Sequence, residues 1–180
     1  MNEQDKAYSL SIFEANIKSL LIVLPVAAVS VFTYSLIWGW EKTAGDFLVI
    51  YSHFGLAVIL LIAGIFAHEL LHGLVWMTVA KLDWHAIKYG FKLSALTPYA
   101  HCKEPISVNA YRWGTIAPGI ILGILPFIAS LWLGHAGLLG FGFIFILAAG
   151  GDFLMLWIIR DIPDDSFVED HPDRVGCKVV

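Results

Sequence analysis

The sequence has 180 residues, of which 58% are hydrophobic and 14% charged, and its mean hydropathy is +0.75. This composition excludes an ordinary water-soluble domain and predicts an integral membrane protein. The formal net charge of −4 gives no support for nucleic-acid binding, because the acidic excess lies in residues 161–173, a pattern typical of a solvated segment. No repeat or linker divides the chain, so we expect one domain over residues 1–180.

Four apolar stretches are long enough to cross the hydrocarbon core of a bilayer as helices. They cover residues 19–38, 54–80, 113–133 and 138–159. Before the first stretch, apolar residues recur at helical spacing and predict an interfacial helix over residues 8–19. These residues are Leu10, Phe13, Ile17 and Leu20. The expected fold is therefore an all-α membrane protein with about four transmembrane helices.

The second and third predicted spans are separated by a loop of about thirty residues, 81–112. It contains β-branched and aromatic residues together with Gly90, Pro98 and Pro105. Such a composition favours an irregular insertion or a short β-hairpin over a further helix. A hairpin here would lie next to the second span and would offer a strand edge to an extended peptide.

The distribution of basic residues predicts the orientation in the lipid bilayer. With four spans, both termini and the 81–112 loop lie on one side of the membrane. Of the 11 Lys and Arg residues, only Lys42 then falls on the opposite side. Positively charged residues concentrate on the cytoplasmic side of membrane proteins. We therefore expect an integral cell-membrane protein with both termini in the cytoplasm.

The sequence HELLH at residues 68–72 lies inside the second predicted span. Helical spacing places His68 and His72 on one face, where both imidazoles can bind the same zinc ion. Glu69 lies beside them and is a candidate general base for metal-assisted hydrolysis. The motif predicts a Zn²⁺ site within the membrane.

A zinc site of this type needs a third protein ligand, and the soluble extended pattern does not supply it. That pattern requires Gly and His where this chain has Val75 and Thr78. Asp152 is the best candidate, because it is the acidic residue of the fourth predicted span and follows the small residues 148–151, which permit close helix approach. Both Asp152 and His72 lie about 12–14 Å from the cytoplasmic ends of their spans, so antiparallel helices would bring them level.

The alternative is that these polar residues only hydrogen-bond between helices. An ionised carboxylate near the centre of a span costs at least ~2.5–3.5 kcal/mol, whereas structural zinc can contribute ~10–16 kcal/mol. A metal therefore explains the cluster better than helix packing does. A metal-binding membrane protein without peptidase activity, such as a transporter or a regulatory subunit, remains a second hypothesis, and a scaffold without metal a third.

Two residues near the third span are weaker candidates. His101 is a candidate substrate or transition-state contact, and Asn109 a candidate transition-state donor. Cys102 and Cys177 are both expected in the reducing cytoplasm and do not form a Cys-x-x-Cys pair, so we expect neither a disulfide nor a cysteine zinc site.

Four segments together resemble the putative zincin peptidase family of prokaryotic integral membrane proteins, which is itself similar to site-2 proteases. These segments are HELLHGL, TPYAHCKEPI, GGDFLMLW and DHPDRVGC. The resemblance implies a helical intramembrane core in which His68, His72 and Asp152 hold zinc and Glu69 is catalytic. It also implies hydrolysis of peptide bonds in a membrane-protein or peptide substrate.

Overall fold

The computed structural model describes residues 8–92, 97–171 and 175–180. Most of this part of the chain is helical. The helices are α1 (Ile12–Trp38), α2 (Trp40–Ser52), α3 (Phe54–Ala80), α4 (Val108–Pro118), α5 (Leu125–Leu133), α6 (Ala136–Ala148) and α7 (Gly150–Ile158). A 3₁₀ turn at Trp84–Ala86 follows α3, and a π-helical segment at Gly119–Ile124 joins α4 to α5.

The described residues also form six strands, which belong to two antiparallel sheets. The strands are β1 (Ser9–Leu10), β2 (Ile87–Lys92), β3 (Thr97–Cys102), β4 (Ile106–Ser107), β5 (Phe167–Asp170) and β6 (Val175–Val179). β2 and β3 pair from Ile87↔Cys102 to Lys92↔Thr97, which confirms the hairpin predicted in the 81–112 loop. The other sheet has the order β1-β6-β5-β4.

Three helices in the described ranges are long and apolar enough to span a membrane. They are Phe13–Trp38, Phe54–Ala80 and Val108–Leu133, with mean hydropathies of 2.3, 2.2 and 2.1 over 18-residue windows. The fourth predicted span corresponds to α6 and α7, which are bent by 40° at their junction and can count together as one broken span. Many large apolar side chains on these helices are exposed, as expected of a surface that faces lipid.

The beginning of the chain differs from the prediction. Ser11 caps α1 by accepting the N–H of Glu14, and the Glu14 carboxylate accepts the N–H of Ser11 in return. From this capping box α1 runs without interruption to Trp38. The separate interfacial helix over residues 8–19 is therefore not confirmed: most of that stretch forms the first turns of α1, and β1 precedes it.

The described residues are mostly helical, as expected, but the fold is not all-α, because segments near both ends of the described chain form a sheet. β1 pairs with β6, with Ser9 opposite Gly176, so the described beginning and end of the chain lie together. β4 pairs with β5 and leads directly into α4. Sequence periodicity could not indicate this sheet, because β1 and β4 have two residues each and their partners are remote in sequence.

The best-packed core lies where α3, α4 and α7 meet the two sheets. It includes Trp76, Tyr111, Met155, Val168 and Cys177, all of which are buried. The metal-ligand candidates lie next to this core, because His72 is one helical turn before Trp76 and Asp152 is one turn before Met155.

Candidate functional site

Helix α3 places the two histidines of the HELLH sequence side by side. His68 and His72 are buried, and their ring centroids are 4.8 Å apart with the ring planes at 80°. The four-residue spacing on an α-helix produces this arrangement directly. Both Nε2 atoms approach the same carboxylate, which comes from another helix.

That carboxylate belongs to Asp152, in the first turn of α7. Its Oδ2 is 3.1 Å from His68 Nε2, and its Oδ1 is 3.5 Å from His72 Nε2. Asp152 reaches this position because α6 ends at Ala148 and α7 starts in a new direction at Gly150. Gly150 is required for the close approach of α1, since a Cβ there would lie 2.4 Å from Val23 Cγ1.

The three donors fit a divalent metal. One ligand atom from each residue can be chosen so that all lie within 4.8 Å of one another. Two tetrahedral ligands of zinc are about 3.3 Å apart, close to both observed N–O separations. Asp152 Oδ2 makes no hydrogen bond within the described residues, although it lies 3.1 Å from His68 Nε2, and His68 Nδ1 is likewise buried without a hydrogen bond there. An unsatisfied buried carboxylate oxygen beside two imidazole nitrogens is expected where a metal-binding site lies.

The remaining nitrogen of His72 is held by helix α4. His72 Nδ1 donates to the carbonyl oxygen of Gly114 at 2.8 Å. This hydrogen bond places the proton on Nδ1 and leaves the lone pair of Nε2 for a metal. The Trp76 ring stacks on the face of the His72 imidazole, with 5.5 Å between centroids. Trp76 is itself held in place, because its Nε1–H donates to the Tyr111 carbonyl oxygen.

Glu69 is held by the hairpin. Its Oε2 accepts the backbone N–H of Ala100 at 2.7 Å. The hairpin can approach this closely because α3 has a glycine at the contact: a Cβ at Gly73 would lie 2.1 Å from the Tyr89 hydroxyl oxygen. The loop predicted to lie beside the site thus supplies a direct contact to the candidate general base.

The site opens into a cavity of about 970 Å³. His68, Glu69, His72 and Asp152 line it together with the hairpin and the strands β5 and β6. A cavity of this size accommodates a peptide segment beside the three metal-ligand candidates.

A comparison with known protein families gives a match over a segment that includes His68, His72 and Asp152. Residues 61–167, more than half of the chain, match the family described as putative zincin peptidase. The chain belongs to this family. Membership in the zincin peptidase family indicates a metallopeptidase with zinc as the implied metal, and the donor set of His68, His72 and Asp152 fits that ion. No curated protein and no solved structure matches the chain.

The two weaker candidates have different positions in this zincin peptidase family member. His101 lines the cavity, and its Nδ1 lies 3.1 Å from Asp170 Oδ2. Asn109 is exposed in the first turn of α4, and its backbone N–H donates to Asp164 O. Because Asn109 is not among the residues that line the cavity, the structure gives its predicted role as a transition-state donor no support.

Several residues at the site were missed by the sequence analysis. Gly114 and Ala100 act through backbone atoms, which leave no signal in a residue type. Asp170 was assigned to a solvated acidic segment, yet its side chain is mostly buried beside the cavity. Residues 167–170 have the sequence FVED, two apolar residues followed by two acidic ones, so they lack the apolar/polar alternation that would indicate a strand.

Both cysteines are buried free thiols near this cavity. Burial raises the pKa of the Cys177 thiol to about 12, and it also raises the pKa of Cys102. Both thiols are therefore protonated at neutral pH and are poor metal ligands in this state.

Proposed function

We propose that this protein is an integral-membrane zinc metallopeptidase that hydrolyses peptide bonds of a membrane-associated protein. One observation carries the proposal: three metal donors from α3 and α7 converge within 4.8 Å, and the non-ligand carboxylate of Glu69 lies next to them in the chain. Family membership supports the same reaction class.

His68, His72 and Asp152 would hold the zinc ion. When bound there, zinc would supply Lewis-acid activation of water and of the scissile carbonyl. The Gly114 carbonyl keeps His72 in the tautomer that coordinates through Nε2. Asp152 lies 80 residues after His72 in the chain. The three donors therefore come together only when the protein is folded.

Glu69 acts as the general base. Its carboxylate takes a proton from the attacking water and passes it to the leaving amine. Since Oε2 accepts the Ala100 N–H, Oε1 is the oxygen available for this transfer. His101, on the neighbouring strand position, contributes a hydrogen bond to the substrate or to the transition state.

The reaction takes place within the membrane, in the manner of site-2 proteases. The proposal is supported by the position of His68 and His72 in α3, which is long and apolar enough to span a membrane, and by the open cavity that gives water and a peptide access. Both termini face the cytoplasm in this account. The pairing of β1 with β6 supports a common side for the two ends, and the distribution of basic residues supports the cytoplasmic side.

The competing hypothesis is a metal-binding membrane protein without peptidase activity. Glu69→Gln separates the two, because it keeps the size and polarity of the side chain but removes the base. We expect this variant to bind zinc as the wild type does and to lose about 10²–10⁴-fold in activity.

The measurement is N-terminal proteomics of membranes from cells that express the wild type or Glu69→Gln, with Glu41→Gln as a matched control, since Glu41 lies in α2 and outside the cavity. New N-termini that appear with the wild type and the control but not with Glu69→Gln would support the peptidase. Equal sets of N-termini from all three proteins would favour the non-enzymatic hypothesis.

A further inference from the structure

We propose that Asp170 is a positioning residue, which holds His101 so that its Nε2–H can hydrogen-bond to the scissile carbonyl oxygen as that oxygen gains negative charge. The inference rests on the proposed peptidase function and adds the end of strand β5 to the site. Asp170 lies outside residues 61–167, the segment that matches the family.

The Asp170 carboxylate joins three elements. Its Oδ1 accepts the hydroxyl of Tyr111 in α4 at 2.8 Å, and its Oδ2 accepts the backbone N–H of Cys102 in β3 at 3.1 Å. His101 Nδ1 lies 3.1 Å from the same Oδ2. With only 13% of its side chain exposed, Asp170 is fixed in place, and it can orient the imidazole with little freedom.

The position of His101 along β3 connects this cluster with the metal site. Ala100 N–H donates to Glu69, and Cys102 N–H donates to Asp170. These two N–H groups point away from β2, because alternate residues of a strand face the same edge. His101 therefore lies between Ala100, whose N–H binds Glu69, and Cys102, whose N–H binds Asp170. Its side chain lines the same cavity as Glu69.

The pairing determines what the imidazole can do. With Nδ1 directed at a carboxylate, Nε2 is the ring nitrogen available to a ligand in the cavity. The hydrogen bond to Asp170 raises the pKa of His101, against the opposing effects of burial and of the nearby Lys88 and Lys103. A raised pKa increases the share of the doubly protonated imidazolium at a given pH, and this is the form that carries an N–H donor at Nε2 while Nδ1–H faces Asp170. Donors of this kind stabilise the negative charge that develops on a carbonyl oxygen during attack by water.

A purely structural role for Asp170 is the alternative, since its contacts also connect β5 to β3 and α4. The two roles differ in their dependence on His101. If Asp170 acts through His101, removing both side chains should cost no more activity than removing one. If Asp170 only stabilises the sheet, the two effects should be independent and should include a loss of thermal stability or of zinc.

The experiment compares Asp170→Asn, His101→Gln and the double variant with the wild type, each purified in detergent as the full chain and loaded with zinc. Asp165→Asn and His85→Gln are matched controls, because both residues are exposed and lie outside the cavity. Four quantities are measured: zinc per chain, kcat and KM on a quenched fluorescent peptide that carries a cleavage site found with the wild-type protein, and the His101 pKa by NMR titration.

We expect each single variant to lower kcat about 100-fold with a much smaller change in KM, and the double variant to be no worse than either. Zinc content should be unchanged, and the His101 pKa should fall in Asp170→Asn. Additive losses, a loss of zinc in Asp170→Asn, or unchanged kcat would overturn the positioning role. An unchanged His101 pKa would overturn the pairing even if cleavage is seen. A wild type that binds zinc but cleaves no peptide would instead overturn the proposed function, and the catalytic role of His101 with it.

Discussion

His72 on helix α3 and Gly114 on helix α4 are joined by a hydrogen bond of 2.8 Å, from Nδ1–H to the backbone carbonyl oxygen. Through this contact the backbone of α4 holds the imidazole of His72, a metal-ligand candidate. Gly114 has to be glycine, because a Cβ there would lie 2.1 Å from the Trp76 ring that stacks on His72.

Gly114→Ala should therefore weaken zinc binding. The added methyl group must displace either Trp76 or the α4 backbone, and both support the His72 imidazole. Loss of such a supporting contact typically reduces metal affinity about 10–100-fold. Competition with a fluorescent zinc chelator in detergent would measure it. Gly55→Ala is the control, since a Cβ at Gly55 meets no atom within 4 Å. Equal affinities in Gly114→Ala and the control would show that the contact does not support the metal site.

Arg112 should stabilise the end of helix α7. Its guanidinium donates to the carbonyl oxygens of Ile159 at 2.6 Å and Ile162 at 2.9 Å, and it pairs with Asp164. Removing hydrogen bonds to a charged group costs about 1.5–3 kcal/mol each, with incomplete additivity. We expect Arg112→Ala to lower the free energy of unfolding by ~2 kcal/mol. In a protein of this size, such a loss lowers the midpoint of thermal denaturation by several degrees.

The matched control for Arg112 is Arg160→Ala. Arg160 is exposed, and its guanidinium lies 4.2 Å from the Trp157 ring centroid, so its removal should change the midpoint little. If both variants melt at the same temperature, Arg112 does not hold the end of α7.

The His101–Asp170 pair should make stability depend on pH. The hydrogen bond to Asp170 raises the pKa of His101 in the folded protein, while Lys88 and Lys103 oppose the shift. A raised pKa means that the stabilisation is complete below the unfolded value of about 6.5 and is lost as pH rises through the folded value. Thermal denaturation of the wild type and His101→Gln should therefore differ most below about pH 6.5 and converge at higher pH. A difference that stays constant over this range would contradict the assigned pairing.

The parts of the site that follow from local spacing could be predicted from sequence. The positions of His68, Glu69 and His72 need only the helical repeat. Asp152 required two further arguments, its depth in the fourth span and the small residues before it, and the structure brings it to the histidines as expected. The bend that aims Asp152, at the α6–α7 junction, was not predicted, because glycines in an apolar run leave the hydropathy pattern unbroken.

The remaining features depend on contacts between distant residues. Helix α2 was missed because its 13 residues are too few for a span and include Glu41, Lys42 and Asp46. The four-stranded sheet was missed because its strands are short and come from three parts of the chain, residues 9–10, 106–107 and 167–179. Asp170 contacts Tyr111 and β3 because β5 pairs with β4, which leads into α4. From residue type alone, Asp170 was predicted to be a solvated carboxylate.

Whether His68, His72 and Asp152 form a zinc site is decided by the zinc content of the detergent-purified wild type and of Asp152→Ala, with Asp161→Ala as an exposed acidic control. We expect about one zinc ion per chain in the wild type and in the control, and a markedly weakened zinc site in Asp152→Ala. Folded wild-type protein that binds no zinc, or an Asp152→Ala variant that retains it with unchanged affinity, would contradict the assignment of His68, His72 and Asp152 as a metal centre.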